Sequence, residues 1–161
     1  MLPMQPMFRL MLSVSIVFTV NCSDPAESAD APPAVDAPPS AICLEANDHS
    51  DLTWIQDKIF TPSCSGFSAC HKGTAREAGG LNLEAGNSRA NMVGKASGLF
   101  PQFELVKPSD AANSYLMIVT GHVAGPINEA KGGRMPFNSA KLCNEKLRAM
   151  ERWIAAGAPA N

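Results

Sequence analysis

The chain has 161 residues, of which 17% are charged and 45% are hydrophobic, and its formal net charge is −2. This length predicts a single folded domain. The near balance of 13 Lys/Arg and 15 Asp/Glu residues argues against a nucleic-acid binder, which needs a basic excess. No apolar run reaches the roughly 18 residues that a membrane-spanning helix requires. A polytopic membrane protein and a large multidomain enzyme are therefore excluded.

Residues 1–21 have the pattern of a signal peptide. Arg9 precedes an apolar run over residues 10–20, which matches a signal-peptide core and is too short to span a membrane. Cys22 follows at the position where bacterial lipoproteins carry a lipid, although Asn21 stands where a small residue is preferred. The sequence therefore predicts export to the periplasm or, with Cys22 lipidated, to the outer membrane. Cleavage elsewhere, without a lipid, is the alternative.

Residues 22–41 predict a disordered tether. The segment holds five Pro and four acidic residues, has no basic residue and shows no apolar periodicity. Such a composition gives a solvated, semi-extended chain. It would hold the domain at residues 42–161 away from a membrane, and the membrane would be contacted only through a lipid on Cys22.

Two helices are expected in the first half of this domain. Apolar residues at helical spacing, with Ser50 or Asp51 as a cap, predict a helix over residues 51–60 that Pro62 ends. A second, short helix is predicted over residues 88–93, where Gly94 stops it. A turn at Gly79-Gly80 precedes it.

Two further helices are expected in the second half. Asp110 is a good cap for a helix over residues 111–120, and a long irregular stretch over residues 121–141 follows. A last amphipathic helix is predicted over residues 144–156, ended by Gly157. Since no strand-rich region occurs, the predicted fold class is all-α with long loops.

Four cysteines remain in the domain when Cys22 is set aside. Cys43 and Cys143 lie near its two ends, and an oxidising compartment would allow them to pair. Such a bridge would close a loop of about 100 residues, although connectivity cannot be deduced from sequence alone.

The segment from Cys64 to His71 has the residue types of a haem-attachment motif. Two thiols add to the vinyl groups of haem, and the adjacent histidine supplies an axial nitrogen to the iron. The usual spacing has two residues between the cysteines, whereas five separate Cys64 from Cys70. The extra residues would have to loop out, which Gly66 makes conformationally accessible.

A methionine in a glycine-rich loop supplies a second candidate ligand. Met135 follows Gly132 and Gly133 and precedes Pro136. A thioether opposite a histidine gives His/Met-ligated iron with a raised reduction potential. The alternative is a methionine that fills a gap in the core.

The order of these motifs resembles the small c-type cytochrome domains of exported bacterial proteins, over most of residues 52–158. The residues that carry the resemblance are Ile55, Ile59-Phe60-Thr61-Pro62, Cys70-His71, Gly79-Gly80-Leu81-Asn82-Leu83, Val106-Lys107-Pro108, Asn113-Ser114-Tyr115-Leu116, Met135-Pro136, Trp153-Ile154 and Gly157-Ala158. The resemblance implies terminal helices packed across each other and a covalent haem c between them. It also implies electron transfer to an unidentified redox protein.

The resemblance implies a role for each candidate residue. Cys64 and Cys70 would form the thioethers, His71 would be the proximal iron ligand and Met135 the distal one. The expected pocket lining is Leu81, Leu83, Leu105, Tyr115 and Leu116, and Lys72 and Lys107 could flank the haem edge.

Two other interpretations of the cysteines stay open. In a haem-free surface or interaction domain, Cys64 and Cys70 would form a local disulfide. In a metal site, Cys64, Cys70 and His71 would be joined by His122. No nucleophile elbow or phosphate loop is present, so an enzyme is not expected. Glu45, Asp48 and His49 are interpreted as solvated side chains.

Overall fold

The structure is a computed structural model, and it describes residues 39–161. The predicted signal peptide, Cys22 and nearly all of the predicted tether lie outside the described residues. Among the described residues, no helix combines the length and the hydropathy that crossing a membrane requires.

The described part of the chain contains five α-helices, one π-helix and several 3-10 turns, which are joined by long loops. The α-helices are α1 (Ala41–Glu45), α2 (Leu52–Ile55), α3 (Ser88–Met92), α4 (Tyr115–Val119) and α5 (Asn144–Ala155). A π-helix over Gln56–Cys64 continues α2, and 3-10 turns occupy Ala46–Asp48, Arg76–Ala78, Ala111–Asn113 and Glu129–Lys131. Residues 39–161 contain only isolated β-bridges. This part of the chain is therefore all-α with long loops, which confirms the predicted fold class.

The core lies where the helical segment around α2 meets α5. The ring of Phe60 meets the ring of Trp153 edge-on, with centroids 6.3 Å apart. Ile55, Ile59 and Ile154 are fully buried around this pair. The first and last long helical segments of the domain therefore bury their apolar faces together.

The predicted end of the first helix at Pro62 is wrong. Helical structure continues through Pro62 to Cys64, in the wider π form. Proline has no N–H, and in an α-helix its ring clashes with the carbonyl four residues earlier, which here is that of Lys58. The ammonium of Lys146 instead donates to the Lys58 carbonyl oxygen at 2.8 Å. The helical segment that continues through Pro62 is thus bonded from α5, which is distant in sequence.

The predicted helix over residues 111–120 is interrupted at Ser114. This residue is fully buried, and its hydroxyl donates to the Asp110 carbonyl and accepts from the Lys107 amide, both at 2.9 Å. The Tyr115 amide donates to the carbonyl of Glu104 at 2.8 Å, so it does not join a continuous helix. These bonds fix the start of α4.

The segment before α2 is more ordered than the sequence predicts. Helix α1 was not predicted. Glu45 is exposed, as expected, whereas His49 is half-buried rather than fully solvated. The His49 ring stacks on Trp54 with centroids 4.7 Å apart, and Trp54 Nε1 donates to Glu45 Oε1 at 2.8 Å. The indole of Trp54 therefore organises both side chains.

Asp51 should stabilise the fold in a pH-dependent way. Its carboxylate accepts from the Trp54 amide at 2.8 Å and bonds His49 Nδ1 at 2.9 Å. The bond to His49, followed by the Trp54 amide, lowers the pKa of Asp51 below its usual 3.8. This stabilisation is therefore present above that usual value and is lost as the pH falls through the lowered one. We expect Asp51→Ala to cost about 1 kcal/mol of unfolding free energy at neutral pH.

Urea unfolding of the wild type and of Asp51→Ala, from neutral pH to about pH 2, measures this loss. The two proteins should converge in stability as Asp51 becomes protonated. Asp51→Asn is the matched control, because it keeps a capping oxygen but cannot ionise. A cost of Asp51→Ala that does not change with pH would contradict the prediction.

Candidate functional site

The loop from Cys64 to His71 closes on itself. Cys64 is the last residue of the π-helix, and its carbonyl accepts the His71 amide at 2.9 Å. Residues 66–69 between the two cysteines are exposed, and Phe67 keeps 75% of its surface accessible. The surplus residues of the five-residue gap therefore bulge to the surface, while Cys64 and His71 are joined at the base of the loop.

Gly66 lets this loop pass close to the π-helix. A Cβ atom at Gly66 would lie 2.9 Å from the carbonyl oxygen of Pro62. A backbone oxygen cannot move aside as a flexible side chain can. A larger residue at this position would therefore push the base of the loop away from the helix.

The four cysteines of the domain fall into two pairs of different character. Cys43 and Cys143 are joined in a disulfide, with Cα atoms 6.3 Å apart. Cys64 and Cys70 are free thiols. Burial raises the pKa of Cys64 to about 12, and the neighbouring Cys70 adds to the rise through like-charge repulsion. The Cys64 thiol is therefore protonated at neutral pH, and both thiols beside His71 remain available.

The imidazole of His71 is fixed by the backbone that follows the Gly79-Gly80 turn. Its Nδ1 donates to the carbonyl oxygen of Leu81 at 3.3 Å, and its own carbonyl accepts the Leu83 amide at 2.9 Å. Burial lowers the pKa of His71, and the bond to Leu81 opposes this only in part. The ring is therefore neutral at neutral pH, and Nε2 carries a lone pair. This is the form in which histidine binds a metal.

Met135 is held by a different part of the fold. Its amide donates to the carbonyl of Val119, the last residue of α4, at 2.9 Å. Its methyl group lies 3.5 Å from where a Cβ on Gly132 would stand, and a Cβ on Gly133 would collide with the carboxylate of Glu129. Both glycines have positive φ. The glycine-rich sequence is therefore what allows this loop to hold a half-buried methionine.

The predicted site residues thus lie on two loops. Cys64, Cys70 and His71 share one, and Met135 occupies the other. His122 does not join Cys64, Cys70 and His71 around one small ion. Its Nε2 pairs with Glu151 at 3.0 Å instead.

The alternative metal site is consequently not formed. Among residues 39–161, the only three His, Cys, Asp or Glu side chains with donor atoms within 4.8 Å of one another are Cys43, Cys143 and Glu145. The two sulfur atoms of that group already form a disulfide.

Tyr115 supplies a polar group that sequence reasoning missed. The residue was expected only to line a pocket, and its ring does lie among aromatic residues, with its centroid 5.4 Å from that of Phe100. Its hydroxyl, however, is the one buried side-chain N or O atom in the described part of the chain without a hydrogen-bond partner. Burial also raises the pKa of Tyr115. A buried orphan hydroxyl costs about 1–3 kcal/mol, so it is a candidate to contact a polar group of a ligand.

Two surface grooves lie near α2 and the segment before α3. One has a volume of about 580 Å³ and is lined by Gln56 and Arg89 among others. The other, of about 460 Å³, reaches Ser65 in the Cys64–His71 loop and Lys72 directly after it. Neither groove is lined by His71 or Met135.

Comparison with known proteins gave no match to a family model, a curated protein or a solved structure. The chemistry of the two loops is therefore the basis for a functional proposal.

Proposed function

We propose that residues 42–161 bind haem c covalently and transfer electrons in an exported protein. The observation that carries this proposal is the closed loop that joins two free thiols to a neutral, backbone-fixed imidazole. Cys64 and Cys70 would form the thioethers, and His71 Nε2 and the Met135 sulfur would be the axial iron ligands.

The donor set fits this cofactor. The thiols of Cys64 and Cys70 are not used by the disulfide, and His71 presents a lone pair on Nε2. When bound, the haem would supply an iron that gains and loses one electron. The chain's own contribution is to hold the ligands and to exclude water. Water would be excluded by the buried side chains of Leu83, Tyr115 and Leu116 and by the half-buried side chains of Leu81 and Leu105.

The proposed setting is the periplasm or the outer membrane, with a redox protein as the partner. A disulfide between Cys43 and Cys143 is typical of an exported protein. The two lysines expected near the haem edge are not free charges, since Lys107 bonds Asp110 at 2.8 Å and Lys72 lies 4.0 Å from Glu84. The attraction of these lysines for an acidic partner would therefore be weakened.

The test is to express the protein in cells that attach haem to exported thiols, and to measure its intact mass and absorption spectrum. One added covalent haem with sharp reduced bands is the expected result. A variant with both Cys64 and Cys70 replaced by alanine is the control and should carry no covalent haem. A wild-type protein without haem would overturn the proposal.

A haem-free interaction domain is the second candidate. It is favoured by the absence of His71 and Met135 from the lining of both grooves, and by the exposed rings of Phe67 and Phe137. In that case Cys64 and Cys70 would pair as a second disulfide. The same mass measurement then shows the loss of four thiol hydrogens and no haem.

Tyr115→Phe should change stability in opposite directions in the two forms of the protein. Without haem, the substitution removes an orphan buried hydroxyl and should stabilise the fold by about 1 kcal/mol. With haem, the hydroxyl can donate to a haem carboxylate, so its removal should destabilise the protein. Denaturant unfolding of both forms measures the difference. Equal stabilisation of both forms would show that Tyr115 does not contact the bound group.

A further inference from the structure

The π-helix determines how the chain enters the Cys64–His71 loop. An α-helix bonds residue i to residue i−4, whereas a π-helix bonds it to residue i−5, so each π turn contains about one residue more. The difference accumulates over the nine residues from Gln56 to Cys64. The Cys64 side chain therefore leaves the helix in a different direction from the one that a continuous α-helix would give it.

The π form has two visible supports within this segment. The ring of Pro62 would clash with the Lys58 carbonyl in the α form, and the Ser65 amide donates to the carbonyl of Phe60, five residues earlier, at 2.9 Å. The bond from Ser65 to Phe60 is of the i→i−5 type that defines a π turn.

The third support comes from α5. Lys146 Nζ donates to the Lys58 carbonyl at 2.8 Å, across a sequence separation of 88 residues. Burial lowers the pKa of Lys146, and the positive charge of Lys58 lowers it further. The fold thus keeps the ammonium of Lys146 half-buried beside the cation of Lys58, which costs free energy. A shorter or apolar side chain at residue 146 would avoid this cost. This bond ties the register of the π-helix to the core helix.

We infer that Lys146 and Pro62 are positioning residues for haem attachment, because together they hold the π register that aims the Cys64 thiol into the same site as Cys70 and His71. This inference rests on the proposed function. It also accounts for the five-residue gap between Cys64 and Cys70. The π-helix sets the direction in which the Cys64 side chain leaves the helix, and the exposed bulge at residues 66–69 accommodates the extra residues.

The step that these residues would control is the second thioether. The Cys64 S–H adds across a vinyl double bond, so that a C–S bond forms and the thiol hydrogen moves to the terminal vinyl carbon. No atom leaves, and the addition involves no net oxidation or reduction. If Cys64 is misdirected, this bond fails to form while Cys70 and His71 keep theirs.

The test compares Lys146→Met, Lys146→Arg, Pro62→Ala and the wild type, all expressed with the haem-attachment machinery. Lys146→Met keeps the length of the side chain but removes the donor, and Pro62→Ala removes the ring that disfavours an α register. Both should carry haem through Cys70 alone, seen as a free Cys64 thiol in peptide mass mapping and a red-shifted reduced band under denaturing conditions. Lys146→Arg retains a donor and should restore both thioethers.

Lys141→Met is the matched control, since Lys141 is exposed and precedes α5. It should carry both thioethers. Pro62→Ala keeps the test decisive even if Lys146→Met fails to fold, because removing a proline from a helix interior does not remove a packing contact with α5.

Two thioethers in folded Lys146→Met or Pro62→Ala would overturn the positioning role and leave the proposed function standing. A wild-type protein without covalent haem would overturn both.

Discussion

In the proposed haem-bound form, replacing Met135 with alanine should leave the haem attached and lower its reduction potential. The thioether ligand stabilises reduced iron, and the choice of axial ligands moves haem potentials over a range of about 0.8 V. We expect a fall on the order of 0.1–0.3 V for Met135→Ala. The open coordination position should also bind carbon monoxide, which the wild type should exclude. Potentiometric titration and the carbon monoxide difference spectrum measure the two effects.

Met135→Ala should remove the candidate ligand without disturbing the fold. The amide of residue 135 would still donate to Val119, so the path of the loop is retained. The side chain is only half-buried and lies outside the main apolar core, so its loss leaves the packing of α2 and α5 intact. An altered potential would therefore report on the iron rather than on a rearranged fold.

Met117→Leu is the matched control for this experiment. Met117 is fully buried in α4, and a swap of similar volume in a core usually costs less than about 1.5 kcal/mol. Its potential should equal that of the wild type. If Met135→Ala also keeps the wild-type potential and excludes carbon monoxide, another residue is the distal ligand.

The parts of the fold that could be predicted from sequence are those that local patterns determine. Helix α5 ends within one residue of its predicted end, because Leu147, Met150 and Ile154 repeat at helical spacing and all three are buried. Gly157 follows with a φ of 91°, in the left-handed region where a helix-ending glycine is expected. These signals lie within a few residues of the structure that they predict.

The errors occurred where a distant group changed the outcome of a local rule. Pro62 would end an isolated helix, but here the segment continues in the π form, and Lys146 bonds its Lys58 carbonyl. Ser114 would continue a helix, but its hydroxyl and the next amide bond to earlier loop residues, including Glu104. Neither partner can be found from the sequence around the affected residue.

The same division applies to the candidate site. The sequence shows directly that Cys70 and His71 are adjacent and that glycines precede Met135. The acceptor that fixes the imidazole is a backbone carbonyl at Leu81, which carries no signal in its residue type. The orphan hydroxyl of Tyr115 is likewise visible only when its surroundings are known. Sequence can thus nominate ligands, while their tautomer and partners require the fold.

Removal of the Cys43–Cys143 disulfide should have the largest effect on stability. The bond joins residues separated by 100 positions, and a loop of that length is worth about 4.7 kcal/mol in a chain-entropy treatment, while measured losses in small exported domains are about 2–5 kcal/mol. We expect a variant with serine at both positions to lose about 2–5 kcal/mol of unfolding free energy. Replacing both residues is necessary, because a single free thiol could pair with Cys64 or Cys70.

Two effects of removing the disulfide can be distinguished. One is a less restricted unfolded chain, and the other is the release of α1 from the folded domain. Helix α1 has no buried residue of its own, but the chain that follows it is anchored by the buried Ala46, whose carbonyl accepts from Arg152 Nη2 at 2.7 Å. If the disulfide acts mainly by restricting the unfolded chain, α1 should stay docked in the double-serine variant, and amide exchange of residues 41–48 should keep its native protection.

Urea unfolding and amide exchange of the same samples therefore give a joint test. The expected result is a large loss of global stability with protection near α1 retained. A disulfide reductant added to the wild type should reproduce that loss, whereas the double-serine variant should not respond. Lost protection at residues 41–48 with unchanged global stability would instead show that the disulfide only fastens α1 to α5.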